Sequence, residues 1–210
     1  MGVPLRTVGS GVPRRLPHGE VITRQGDAVT SLFLVTAGAV RLSAVSTRGR
    51  EVVVALLGPG DVFGEVGLLG GPSPVEARAM GEAVVVALPL ETLRDLIARH
   101  PATAEELLRL IASRLHRTSG VLRDALAGDL RTRLSRRLHE LAREHGAPEE
   151  EGGVRLRVPL TQEELGRMVG ATREAVNRTL GALAEHGVRV RDGEIVIRDP
   201  DALAPERAGA

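Results

Sequence analysis

From residue 19 to about residue 90, short β-branched and aliphatic runs are punctuated by single glycines. The runs are 21–24, 32–36, 40–46, 52–57, 75–79 and 84–88, and between them stand Gly19, Gly26, Gly38, Gly49, Gly58, Gly60 and Gly64. Runs of this length with turn residues at this spacing predict an antiparallel barrel or sandwich, with glycine where a turn needs positive φ.

The period then changes to that of helices. A first helical stretch starts at Leu90, and Pro101, suited to a first helical turn, opens a second that runs to about Ala127. Along the second stretch Leu108, Leu115 and Leu122 recur every seven residues, with Ile111, Thr118 and Ala125 as the other half of a seam. Such a seam predicts pairing with a second copy; the alternative is a helix packed on its own β-domain. Gly128 and Asp129 interrupt the helix, 130–145 is amphipathic and rich in Arg, and 146–153 reads as a polar loop. Arg155, Arg157 and Val158 then suggest a short strand, and the chain from Pro205 onwards a frayed tail.

The segment 161–186 carries the clearest local grammar. Thr161 and Glu164 spell a capping box, in which hydroxyl and carboxylate each satisfy the other's orphan backbone N–H. The helix they start ends near Val169, Gly170 makes the turn, and Thr172 caps a second helix running to about His186, where Gly187 stops it. Leu165, Val169, Val176, Leu180 and Leu183 face inward and lock the pair into a helix-turn-helix. Beyond it, Asp192-Gly193 predicts a tight hairpin between 188–191 and 195–198. Arg173, Glu174, Asn177 and Arg178 share the face opposite the apolar one. Arg can fork onto the O6 and N7 of guanine, and Glu can accept from the cytosine amine. Glu174 and Arg178, four apart, can also hold each other in place. Alone, this face could be a merely solvated one with a routine ion pair; after a capped turn and before a hairpin, it predicts DNA reading.

Composition narrows the chemistry. The 210 residues contain no cysteine and two aromatic residues, Phe33 and Phe63, so the cores rest on Leu, Val, Ile and Ala. Disulfides, thiolate clusters and Cys-ligated metals are excluded, and the six histidines show no ligand spacing, so no metal and no cofactor is expected. No apolar run approaches the ~20 residues that span a bilayer, and no apolar segment follows the first arginines. These features suit a cytoplasmic protein without a membrane partner. All 28 basic residues are Arg, which GC-rich codon usage explains without function. The stretch 129–210 holds 14 Arg against 15 Asp plus Glu, a net of −1, so DNA affinity depends on where Arg is placed. With no Ser/His/Asp set and no phosphate-cradling glycine loop, the chain does not read as an enzyme.

Four stretches resemble the cyclic-AMP receptor protein/Fnr family of bacterial transcription regulators. They are GEVITRQGD at 19–27, GPGDVFGEVGLL at 58–69, RTSGVLRDALAGDLRTRL at 117–134 and TQEELGRMVGATREAVNRTLGAL at 161–183. The resemblance implies an α+β chain: a β-roll of cyclic-nucleotide-binding type over 1–100, a dimerisation helix over 101–128 and a winged helix-turn-helix over 129–210. It implies that Arg173, Glu174 and Arg178 read a TGTGA-type half-site, with two halves about 34 Å apart on double-stranded DNA. It also implies RNA polymerase as a partner.

The implied effector pocket departs from the family. Gly64 and Glu65 stand where family members meet the ribose and phosphate, and Thr118 and Ser119 match residues that meet adenine. The Arg-Ser pair that clamps the phosphate is missing: one alignment puts Ser73 and Pro74 there, the other Val75 and Glu76. Arg78 matches a position outside the clamp, and Glu76 would repel an anion. Losing one bidentate guanidinium removes about 1.5–3 kcal/mol of phosphate binding. The expectation is therefore a homodimeric DNA-binding regulator not controlled by cyclic AMP, whose effector is unknown. Cyclic-AMP control of the same DNA chemistry is one alternative. The other is a ligand-binding module whose DNA-reading domain is vestigial, against which the intact Arg173, Glu174 and Arg178 argue.

Overall fold

The computed structural model describes residues 11–47, 49, 51–149, 152–191 and 194–204, and for 117 and 120–127 the backbone alone. The expected Asp192-Gly193 turn, the tail from Pro205 and the Leu122 and Ala125 side chains lie outside the described residues. Two compact units divide between Ser119 and Gly120.

The first unit is built on a six-stranded antiparallel sheet: β1 (Pro13–Leu16), β2 (Val21–Thr23), β3 (Ser31–Val45), β4 (Glu51–Leu57), β5 (Val62–Phe63) and β6 (Glu76–Pro89). β6 pairs with β1, β2 and β3, and β3 pairs in addition with β4 and β5. Leu16, Val35, Val40, Leu42, Leu57, Phe63 and Val85 form its core, in which Phe33 and Phe63 stack at 4.9 Å between ring centroids.

Two expectations need correction. Runs 32–36 and 40–46 are one 15-residue strand, and 75–79 and 84–88 belong to one 14-residue strand. Gly38 and Gly81, both at positive φ, bend the strands and do not end them, and the β3–β6 register shifts between Val35 and Ala39. A Cβ on Gly38 would lie 2.0 Å from the carbonyl oxygen of Glu82. Glycine here permits close crossing of two bent strands.

Two helices follow, α1 (Leu90–Arg99) and α2 (Ala102–Ala127), with Pro101 between them as expected. Leu90, Leu93 and Leu107 join Leu32, Val62 and Leu88 in a second cluster, against which Leu110 also packs. One face of α2 is thus covered by its own β-domain. On another face Leu108 and Leu115 stay 64% and 67% exposed and Ile111 37%. The reading in which this helix packs on its own β-domain therefore holds for one face, and the seam residues Leu108, Ile111 and Leu115 lie on another.

The second unit holds α3 (Leu130–His145), α4 (Gln162–Val169), α5 (Arg173–Leu183) and a four-stranded sheet in the order β7 (Gly146–Pro148), β8 (Val154–Leu156), β10 (Glu194–Ile197), β9 (Val188–Arg191). The expected loop 146–153 therefore begins as a strand: its first three residues pair with β8. Asp129 caps α3 by accepting from the Thr132 N–H at 2.8 Å, and this contact first, then Arg131 and Arg133, holds its carboxyl below the ordinary aspartate range. The second helix of the reading module is α-helical only to Leu183; 184–186 tighten into a 3₁₀ turn before Gly187 at φ 81°.

Candidate nucleic-acid interface and effector pocket

The capping box forms as its sequence dictates. The Glu164 N–H donates to Thr161 Oγ1 at 3.1 Å, and Glu164 Oε2 accepts from the Thr161 N–H at 2.8 Å. Glu164 is buried, so its carboxylate depends on this local partner. Gly170 takes the left-handed conformation at φ 66°, and Thr172 Oγ1 accepts from the Ala175 N–H to start α5. Gly166 serves a further purpose, because a Cβ there would lie 2.6 Å from the Ala171 carbonyl. Leu165, Val169, Val176, Leu180 and Leu183 are all buried, as the periodicity required. Thr161→Ala removes one cap acceptor and should cost about 1 kcal/mol of stability. A drop in urea midpoint at unchanged slope would register it; an unchanged midpoint would mean that the cap contributes nothing net.

Arg173, Glu174, Asn177 and Arg178 lie exposed on α5, opposite its buried side. The expected Glu174–Arg178 pair does not form among the described contacts. Instead, the Glu174 carboxyl is held below the ordinary glutamate range by its own backbone N–H first, then by the Thr172 hydroxyl, Arg173 and Arg178. A carboxylate at the start of a helix is drawn to the free N–H groups there. Glu174 is therefore ionised at neutral pH and acts purely as an acceptor, the property a cytosine amine requires. Asn177 Oδ1 accepts from Gln162 Nε2 at 3.4 Å, which links the two helices.

Arg133 was not singled out by the sequence pattern. Its Nε donates to the Val169 carbonyl at 3.0 Å and its Nη1 to the Gly128 carbonyl at 2.7 Å. One guanidinium thus ties the last residue of α4 to the residue that breaks the chain before α3.

In the first unit, Gly64 is at φ 90°, where a Cβ would meet the Ser31 carbonyl at 2.5 Å, and it delivers Glu65 into a short 3₁₀ turn. Glu65 Oε1 is paired with Arg114 Nη1 of α2 at 3.0 Å, and Arg114 Nη2 donates to the Val62 carbonyl. Arg114, which sequence reading missed, is thus the cation beside the candidate pocket residue Glu65; its spacing of four from Thr118, on one helix face, was the available signal. At the clamp position the buried Ser73 spends its hydroxyl on the Val75 carbonyl at 2.7 Å. Pro74 is exposed and Val75 packs on the sheet core. Glu76 is not a bare anion: Arg78 grips Glu76 Oε1 through Nε at 2.8 Å and Nη2 at 2.6 Å. Arg78 Nη1 donates to the Gly19 carbonyl at 2.8 Å, so that guanidinium is committed as well. The Thr118 and Ser119 hydroxyls donate to the Arg114 and Leu115 carbonyls of their own helix.

A β-domain joined in one chain to a helix-turn-helix flanked by a small sheet is the architecture of an effector-type domain fused to a DNA-binding module. Residues 13–100 match the family model "Cyclic nucleotide-binding domain", and residues 132–206 match "Crp-like helix-turn-helix domain". The chain is 34% identical over 194 residues to the CRP-like cAMP-activated global transcriptional regulator of Mycobacterium tuberculosis, covering 91% of this chain and 86% of that protein. It is 36% identical over 193 residues to the cyclic AMP receptor protein of Thermus thermophilus, covering 90% and 86%. Among solved structures, the c-di-GMP-responsive global regulator of Xanthomonas campestris superposes with a TM-score of 0.75 at 27% identity, covering 92% of this chain and 97% of that one. The chain belongs to the cyclic-AMP receptor protein/Fnr family and is a DNA-binding transcription regulator. Among the described residues, no helix is long and apolar enough to cross a membrane.

Proposed function

We propose that this regulator acts as a homodimer on an inverted repeat of TGTGA-type half-sites, reads them with Arg173, Glu174, Asn177 and Arg178, and does so without cyclic-AMP control. The observation that carries the effector part is the state of the clamp. Ser73, at the clamp position, and Arg78, the cation nearby, spend their polar atoms on Val75, Glu76 and Gly19. A cyclic phosphodiester entering here would leave water without a guanidinium to replace it. The exposed Leu108, Ile111 and Leu115 support the dimer, and RNA polymerase is the further partner the family membership suggests.

Cyclic-AMP control is the second reading. The two relatives' names favour it, and so does the Arg114–Glu65 pair, which keeps a polar anchor in the pocket. Another family neighbour is responsive to c-di-GMP, so a shared fold does not settle the ligand.

Fluorescence anisotropy separates the readings. The protein is titrated onto a TGTGA-N6-TCACA duplex and a scrambled one at ~0.15 M salt, with and without cyclic AMP. Selective binding that cyclic AMP leaves unchanged is the expected result. Selectivity that appears only with cyclic AMP would overturn the effector assignment, and no selectivity under either condition would overturn the half-site.

A further inference from the structure

We propose that the small sheet of the DNA-binding unit carries a second binding site, for a phosphate-class oxyanion, in a cleft built on Arg189 and Arg198. This goes beyond the DNA-reading assignment, since none of these residues lies on α5.

The sheet has two unlike faces. Val188, Leu156, Ile195 and Ile197 are buried on one. On the other, Val196 stands opposite Arg189 of β9 and Arg155 of β8, and Glu194 stands opposite Arg191. Directly opposed residues in an antiparallel pair share a face, and so do residues two apart on one strand. Arg198, two beyond Val196 and bonded through its N–H to the Gly187 carbonyl at 3.0 Å, continues that face. The result is a cleft of about 150 Å³ lined by Glu149, Gly187, Arg189, Arg191 and Arg198, among others. Since a water occupies roughly 30 Å³, the cleft takes about five waters or one orthophosphate-sized ion.

Charge points the same way. The described acids on this face are already held by one cation. Arg155 grips Glu149 through Nε at 2.6 Å and Nη2 at 2.7 Å, and reaches Glu194 through Nη1 at 3.1 Å. Among the described residues, no hydrogen bond or ion pair engages the guanidinium of Arg189 or of Arg198; Glu150, Glu151 and Asp192 lie outside that description. Gly187, at φ 81°, keeps the cleft open beside Arg198, whose Cβ would lie 2.8 Å from any Cβ placed there. Two arginines lining one small cleft suit a tetrahedral oxyanion, whose oxygens can take both forks; a carboxylate has oxygens for only one bidentate fork.

Two sources share this chemistry: a backbone phosphate of bound DNA and a free phosphate. Both are tested on the full chain by comparing the native protein with Arg189→Gln/Arg198→Gln. Thermal unfolding is followed in inorganic phosphate and in chloride at equal ionic strength, and affinity for a random duplex is followed against salt. If the anion is free, phosphate raises the native Tm and the double variant loses that rise, its phosphate affinity falling roughly tenfold or more. If DNA supplies it, the slope of log K against log salt shrinks by about 0.9 for the one phosphate lost per protomer, or about 2 for the dimer. Native and variant proteins that coincide in both measurements would overturn the site. Should the double variant fail to unfold cooperatively, Arg189→Gln alone gives the same comparison at one exposed position. Selectivity for the TGTGA duplex is read by α5 and reports separately, so failure of one assignment is distinguishable from failure of the other.

Discussion

Leu115→Glu is expected to leave a folded monomer that has lost most of its operator affinity. Leu115 is 67% exposed on α2 while Leu107, on another face of the same helix, is 5% exposed against the β-domain. The substitution therefore adds no charge to the protomer's own core. In a dimer, Leu108, Ile111 and Leu115 would meet their counterparts, and each leucine withdrawn from water contributes about 1–2 kcal/mol. Two carboxylates facing each other across that seam reverse the balance through desolvation and repulsion. The loss on DNA then follows from linkage. Two reading modules held together gain roughly 10²–10⁴-fold over one by effective concentration, and the monomer forfeits that gain. Sedimentation equilibrium gives the mass and anisotropy the affinity; a dimer of normal affinity would place the interface elsewhere.

Arg178→Ala is expected to cost about 1–3 kcal/mol on the specific duplex and to relax base preference at one position per half-site. The side chain is exposed, and no hydrogen bond ties it within the described structure, so the fold should be indifferent to its removal. Glu174 keeps its own tether to the start of α5 and remains ionised in the variant, because its leading partners are its backbone N–H and Thr172. Reading by Glu174 should therefore survive, and the change should stay confined to one base pair. Competition against duplexes varied one position at a time measures this. An equal loss on random DNA would make Arg178 a phosphate contact only.

The two halves of the chain differed in how much their sequence disclosed. In the reading module, caps, turn and period act within four residues, and Thr161, Gly170, Thr172 and Gly187 stand where local geometry demands them. The Glu174–Arg178 pair failed for an equally local reason: the free N–H groups of the first turn are nearer and more fixed than a flexible guanidinium. In the β-domain, glycine was ambiguous. Gly38 and Gly81 carry the positive φ of a turn, yet partner strands make them bends inside β3 and β6.

The sequence by itself determined that a helix-turn-helix follows a β-rich domain and that cysteine chemistry is absent; that an arginine is missing from the phosphate clamp followed from the resemblance to the family. Those conclusions rest on residue identity and on contacts within a turn or two, which a linear pattern records. Only the tertiary structure decided where the guanidiniums go. Arg78 crosses 59 residues to reach the Gly19 carbonyl, Arg114 crosses 49 to reach Glu65, Arg133 spans 36 to reach Val169, and Arg155 crosses 39 to reach Glu194. A chain whose every cation is Arg gives no hint, position by position, of which are spent in the fold and which remain for a ligand. That allocation is settled by long-range pairing, because each guanidinium takes the carboxylate or carbonyl that folding brings within about 3 Å.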